Sequence, residues 1–192
     1  MYRVMLFSNL LRNRLRNQNQ SIDFYQNKVN LTSADYEALF PHINAAQFIL
    51  ESIQKELVSA LKTGEISDII YQGLNQHIVE LGNVQAGCDR ILSTPLPFSY
   101  SVLLHRTVYC FCFILPFSLE ASLGIWTPIL VGLIAYLFLG LDALSEQLEE
   151  PFGLQDNDLP LNSMVRLIER EMLSSLGEEL PPTILAVKGN LS

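Results

Sequence analysis

Residues 98–119 read FSYSVLLHRTVYCFCFILPFSL, and residues 127–141 read TPILVGLIAYLFLGL. A helix needs about 20 mainly apolar residues to cross the hydrocarbon core of a bilayer. The two stretches, joined by a short link at 120–126, therefore predict a transmembrane helical hairpin over residues 98–142. Helices of this length also form the cores of soluble proteins, so a soluble helical bundle is the alternative.

The composition of the whole chain also favours a membrane protein. Hydrophobic residues make up 49% of the 192 residues and charged residues 17%, and the mean hydropathy is +0.24. A soluble domain is usually about 25% charged. The net charge of −8, without a large basic patch, argues against nucleic acid as a partner.

The chain before the hairpin is predicted to be a cytosolic helical region, residues 1–97. Apolar residues recur at helical spacing in two long segments. The first ends at Gly64 and the second near Gly87. Pro95 and Pro97 then break the helix where the chain enters the membrane, because proline lacks a backbone donor and biases its predecessor to an extended shape.

Residues 143–180 are predicted to return to the cytosol as an acidic turn and a C-terminal helix. This helix runs from about Asn162 to Leu176 and stops at Gly177. Residues 181–192 form a tail.

Basic residues predict the orientation of the hairpin. The link contains Glu120 and neither Lys nor Arg. The other side carries four arginines: Arg90, Arg106, Arg166 and Arg170. By the positive-inside rule, we expect a multi-pass membrane protein with both termini cytoplasmic.

The sequence offers no catalytic, metal or cofactor site. The histidines (His42, His77 and His105) are scattered, without a nucleophile motif or zinc-protease spacing, and no Gly-rich phosphate loop is present. The cysteines, Cys88, Cys110 and Cys112, lack the spacing of a zinc or dithiol site and are interpreted as free thiols. We expect a protein that is not an enzyme.

His105 and Arg106 are unusual within an apolar helix. A buried arginine costs a few kcal/mol near the bilayer centre, so such residues tend to face protein or water and to mark function. The alternative is that both lie at the headgroup level, with Arg106 paired to a phosphate or a carboxylate.

An acidic turn follows the hairpin and contains Glu149, Glu150, Asp156 and Asp158. Oxygen ligands near Gly153 are of the type that binds Ca²⁺, but they are too few and the EF-hand spacing is absent. Helix capping and turn formation are the alternative interpretation.

Several ordered motifs resemble those of the bacterial bestrophin-like ion channels. They are Cys88–Ile91, Thr94–Tyr100, His105–Tyr109, Leu115–Phe117, Trp126–Pro128, Glu149–Gly153 and Asn157–Leu161. The resemblance implies an all-α membrane protein, a bestrophin-like helical subunit that lacks the family's first two membrane helices and the pore neck within them. The sparse acids around Asn157 are similar to the bacterial pattern, so we do not expect calcium gating.

The resemblance also implies a function and a pore residue. The chain would be one subunit of a homopentamer in the lipid bilayer of the cell (inner) membrane. The pentamer would passively conduct small inorganic ions, either chloride and other anions or monovalent cations. The family's aperture isoleucine matches Ile91, where an apolar ring can limit or gate the pore. A core position is the alternative for Ile91. The alternative function is a truncated, non-conducting membrane interaction module.

Overall fold

The computed structural model describes residues 1–18, 43–94, 98–155 and 157–184. The described residues form helices and no strands. The helices are α1 (Tyr2–Leu15), α2 (Ala45–Lys62), α3 (Asp68–Ser93), α4 (Phe98–Leu123), α5 (Thr127–Glu149) and α6 (Leu161–Leu176). A 3₁₀ turn, Gly124–Trp126, connects α4 to α5. The prediction of an all-α fold is confirmed.

The chain divides into two compact units. The first comprises Met1–Ser93 and Leu159–Ser192, and the second is Thr94–Asp158. The first unit therefore contains α1, α2, α3 and α6, whereas the second is the hairpin of α4 and α5 with the turn that follows it.

Helix α1 forms the centre of the first unit. Met5, Leu6 and Phe7 are almost completely buried. They form a core with Leu10 of the same helix, with Ala46, Ile49 and Leu50 of α2 and with Leu173 of α6. Helix packing therefore joins segments that are far apart in sequence.

Helix α3 is longer than the sequence predicted, because it continues through Gly87 to Ser93. The space around Gly87 is open, and a glycine in a helix interior costs only about 1 kcal/mol. The helix ends two residues before Pro95. Pro95 and Pro97 themselves lie outside the described residues.

The hairpin helices are also longer than predicted. Helix α4 extends to Leu123, so most of the expected link at 120–126 is helical. Helix α5 continues past Asp142 to Glu149, because the polar segment after Asp142 is rich in helix-forming Ala, Leu, Glu and Gln. Helix α6 ends as expected, at Gly177 in the left-handed conformation (φ 69°), which glycine adopts without steric cost.

Candidate functional site

Ile91 lies on an exposed face near the end of α3. Its side chain is 55% exposed, so the described helices do not bury it in a core. Ile70 and Val84, at seven-residue intervals from it, are also exposed, and His77 occupies the intervening position. Residues seven apart lie on nearly the same side of a helix. Helix α3 thus presents three exposed apolar side chains, Ile70, Val84 and Ile91, in a row that His77 interrupts and that α1, α2 and α6 do not cover.

Arg14 of α1 contacts both the end of α3 and the residues that precede α2. Arg14 Nε donates to Asp89 Oδ1 at 2.7 Å, and Arg14 Nη1 donates to the carbonyl oxygen of Ile43 at 2.8 Å. Cys88 precedes Asp89 in α3. Partial burial and the neighbouring Asp89 carboxylate raise the pKa of the Cys88 thiol. The Arg14–Asp89 pair fixes α3 only two residues from Ile91. Sequence analysis missed it, because the two residues are 75 positions apart.

A polar pair joins the two hairpin helices. His105 Nδ1 of α4 lies 2.5 Å from Asp142 Oδ2 of α5. The Asp142 side chain is 8% exposed and that of His105 is 41% exposed. The second carboxylate oxygen of Asp142, Oδ1, is buried and has no hydrogen-bond partner in the described part of the chain. The sequence drew attention to His105 but suggested no partner for it.

The pair belongs to a series of contacts along the hairpin. Toward the open end of the hairpin, where α4 begins and α5 ends, Ser101 Oγ donates to Glu149 Oε1 at 3.3 Å. Toward the connecting turn, Phe111 and Phe138 meet edge to face with their ring centroids 5.3 Å apart. These contacts fix the antiparallel register of α4 and α5.

Arg106 differs from its neighbour His105. Its side chain is exposed, and within the described residues it has no ion pair or hydrogen bond. It is also the only Lys or Arg between Arg90 and Arg166. A partner for this guanidinium group would therefore come from outside the described residues.

The acidic turn is held by its own side chains. Asp158 Oδ2 accepts a hydrogen bond from the backbone N–H of Gln155 at 2.6 Å, and Asn157 Nδ2 donates to Gln147 Oε1 at 2.5 Å. A Cβ atom on Gly153 would collide with the Asp158 carboxylate. The described residues bring together no three His, Cys, Asp or Glu side chains that could hold a metal ion, and Asp156 lies outside them. The Asp158 carboxylate therefore acts as a turn cap.

The hairpin surface suits a lipid environment. One helical stretch of the described chain, Ser99–Glu149, is long and apolar enough to cross a membrane, with a mean hydropathy of 2.0 in its most apolar window. Only 6% of that window is buried. Large apolar side chains point outward along both helices, among them Phe113, Phe117 and Tyr136.

Comparison with known proteins identifies the family. Residues 1–174 match the family model described as "Bacterial/Fungal Bestrophin protein". The chain is 40% identical over 182 residues to the "Voltage-dependent anion channel-forming protein YneE" of Escherichia coli strain K12, covering 93% of this chain and 58% of that protein. It is 37% identical to the similarly named protein mll4386 of Mesorhizobium japonicum, covering 91% of this chain and 56% of that one.

A solved structure supports the same assignment. A bacterial bestrophin homologue from Klebsiella pneumoniae matches with a TM-score of 0.84 and 36% identity, over 93% of this chain and 65% of that one. The chain thus spans a little more than half the length of the curated relatives that it matches. With its all-helical fold and exposed apolar hairpin, the chain belongs to the bacterial and fungal bestrophin family of membrane proteins.

Proposed function

We propose that this chain is part of a subunit of an oligomeric channel that conducts anions passively across the cell membrane. The observation that carries the proposal is the uncovered apolar row Ile70–Val84–Ile91 on α3. An exposed row of this kind marks a contact with a partner subunit or an apolar constriction of a pore, where narrow spacing of the side chains excludes water.

The choice of anions rests on the relatives, which are named voltage-dependent anion channel-forming proteins. The charge of this chain favours the opposite ion, since the net charge is −8 and acidic residues cluster after Asp142. An acidic lining at the exit would concentrate cations. Anion conduction therefore requires that these carboxylates lie away from the ion path. The cap formed by Asp158 and the Ser101–Glu149 bond are consistent with this, because each engages a carboxylate in a local contact.

We assign the constriction of the cytosolic part of the pore to a ring of Ile91 side chains from a pentamer. A ring of isoleucines can limit the radius or exclude water from a narrow passage. The Arg14–Asp89 pair holds this part of α3 in place. In the assembled channel, Ile91→Cys should react with a water-soluble thiol reagent and reduce the current. Ile69→Cys, at the opposite end of α3 and about 33 Å from Ile91 at about 1.5 Å per residue, should react without changing it. Modification of Ile91→Cys without loss of current would show that Ile91 does not line the ion path.

The hairpin would span the membrane with both of its ends on the cytoplasmic side. In support, the connecting turn carries no Lys or Arg, whereas arginines flank the other end. His105 and Arg106 would then lie near the cytosolic headgroups. From His105 to Leu123, α4 rises about 27 Å at about 1.5 Å per residue, close to the ~30 Å thickness of the hydrocarbon core.

Recording in planar bilayers tests the proposed function. The native protein, purified from its own membrane, is expected to give step-like currents whose reversal potential follows the chloride gradient. Currents that follow the sodium gradient would replace the anion assignment with cation conduction. Silent bilayers that contain intact oligomers would instead favour the non-conducting interaction module.

A further inference from the structure

The His105–Asp142 pair is the one contact of the hairpin that joins an acid to a base within the described residues. It crosses from α4 to α5, and the 2.5 Å separation of Nδ1 and Oδ2 leaves no room for water. Asp142 is also the only acid that the hairpin helices bury, since the other buried residue of α5 is Thr127. A buried carboxylate needs a specific partner, because an unpaired buried charge is unfavourable.

The protonation of His105 controls how well the buried carboxylate of Asp142 is neutralised. With a proton on each imidazole nitrogen, His105 is a cation beside an anion, and the pair is neutral overall. After loss of one proton, the pair carries a net negative charge at a site where Asp142 Oδ1 already lacks a hydrogen-bond donor. Histidine is the side chain whose charge ordinarily changes between about pH 5 and pH 8.

Other charges around the pair are few. On α4, the neighbouring Arg106 is exposed, and on α5 Glu146 lies one turn beyond Asp142 and is also exposed. Glu149, at the end of α5, is engaged by Ser101. No other Lys, Arg, Asp or Glu occurs between Arg106 and Glu146 except Glu120, near the opposite end of the hairpin, and Asp142 itself. The imidazole is therefore the nearest group that can neutralise Asp142.

We propose that His105 and Asp142 form a proton-dependent latch that holds the open end of the membrane hairpin closed. The protonated latch keeps α4 and α5 together between the Ser101–Glu149 and Phe111–Phe138 contacts, and loss of its proton loosens them. If the chain is part of a channel, as proposed above, loosening of the hairpin would make conduction depend on pH.

Distance measurements between two spin labels test the latch without requiring any current. Leu103→Cys on α4 and Leu144→Cys on α5 place one label on each helix, at exposed positions two residues from the pair and toward the open end of the hairpin. The native cysteines are replaced by serine, and labelled chains are diluted with unlabelled ones in liposomes. We expect a narrow distance distribution at about pH 5 and a broader, longer one at about pH 8.

Substitutions show whether the pair causes this response. His105→Gln and Asp142→Asn should each abolish the difference between the two pH values. His77→Gln is the matched control, since His77 forms an exposed pair with Glu80 on α3, and it should retain the full response. Identical distributions at both pH values in the unsubstituted chain, or an unchanged response in His105→Gln, would overturn the latch. Because the experiment measures distances and no current, it can refute the latch whether or not the protein conducts ions.

Discussion

Replacement of Ile49 by alanine tests whether the α1–α2 core holds the first unit together. The Ile49 side chain is completely buried and belongs to the cluster around Met5 and Leu6. The change removes three carbon groups, each worth about 0.8 kcal/mol when buried, which gives about 2.4 kcal/mol. A cavity adds to this cost, and buried Ile→Ala changes usually destabilise by ~2–5 kcal/mol. We therefore expect a loss of about 3 kcal/mol.

Amide hydrogen exchange followed by mass spectrometry measures this loss in detergent or lipid. Because each 1.4 kcal/mol corresponds to a factor of about ten, peptides from α1 and α2 should exchange about a hundredfold faster where exchange requires opening of the unit. Ile69→Ala is the matched control, since Ile69 is 83% exposed. Equal, small changes in the two variants would refute the assignment of Ile49 to the core.

Three further predictions concern the contacts around the candidate site. Gly153→Ala should destabilise the acidic turn by about 1–3 kcal/mol, since its new methyl group would collide with the Asp158 carboxylate, and protease cleavage within the turn measures this change. A double-mutant cycle on Arg14→Ala and Asp89→Ala, measured by amide hydrogen exchange at the end of α3, should give a coupling energy of about 0.5–1 kcal/mol. The value is small because both side chains remain partly exposed to solvent. Maleimide should modify Cys88 more slowly than a free thiol at mildly alkaline pH, because the raised pKa leaves less thiolate. Asp89→Asn should speed this reaction by removing the neighbouring negative charge.

Each of these predictions has a clear contrary result. Gly87→Ala is the control for Gly153→Ala, since the space around Gly87 is open, and it should stabilise α3 by ~0.5–1 kcal/mol. Equal effects of the two alanines would show that a collision with Asp158 does not destabilise the turn. A coupling energy near zero would show that Arg14 does not hold α3 in place. Modification of Cys88 at the rate of a free thiol would show that burial does not protect it.

Hydrophobic periodicity and length were sufficient to predict α2, α3, α6 and the hairpin, but the sequence analysis did not give bounds for α1. Helix ends were less predictable, because the polar residues after Asp142 are good helix formers and continue α5 to Glu149. Gly87 likewise looked like a stop, yet α3 continues through it, since its surroundings tolerate a helical glycine.

Contacts between distant residues could not be predicted from periodicity. Asn9 donates to Glu169 across 160 positions of sequence, and both side chains are buried where α1 meets α6. The His105–Asp142 pair depends on the register of α4 against α5, which the sequence does not specify. A single acid at the end of an apolar run, opposite a histidine in the preceding run, is a signal that could have suggested it.

The exposure of Ile91 was also beyond sequence reasoning. The sequence predicted that α3 ends near Gly87, so Ile91 lay beyond the predicted helix, and the family resemblance alone indicated a pore ring rather than a core position. Only packing distinguishes them, and α1, α2 and α6 leave Ile91 uncovered. Its role in the pore remains a prediction.

Single-channel recording of Ile91→Ala tests the central claim most directly. The complete native channel carries this substitution in every subunit, and Ile69→Ala serves as the control. If Ile91 forms the narrow ring of an anion pore, shortening five side chains should increase the unitary conductance or change the ion preference, whereas Ile69→Ala should change neither. Unitary currents and reversal potentials identical to those of the unsubstituted channel in Ile91→Ala would contradict the account.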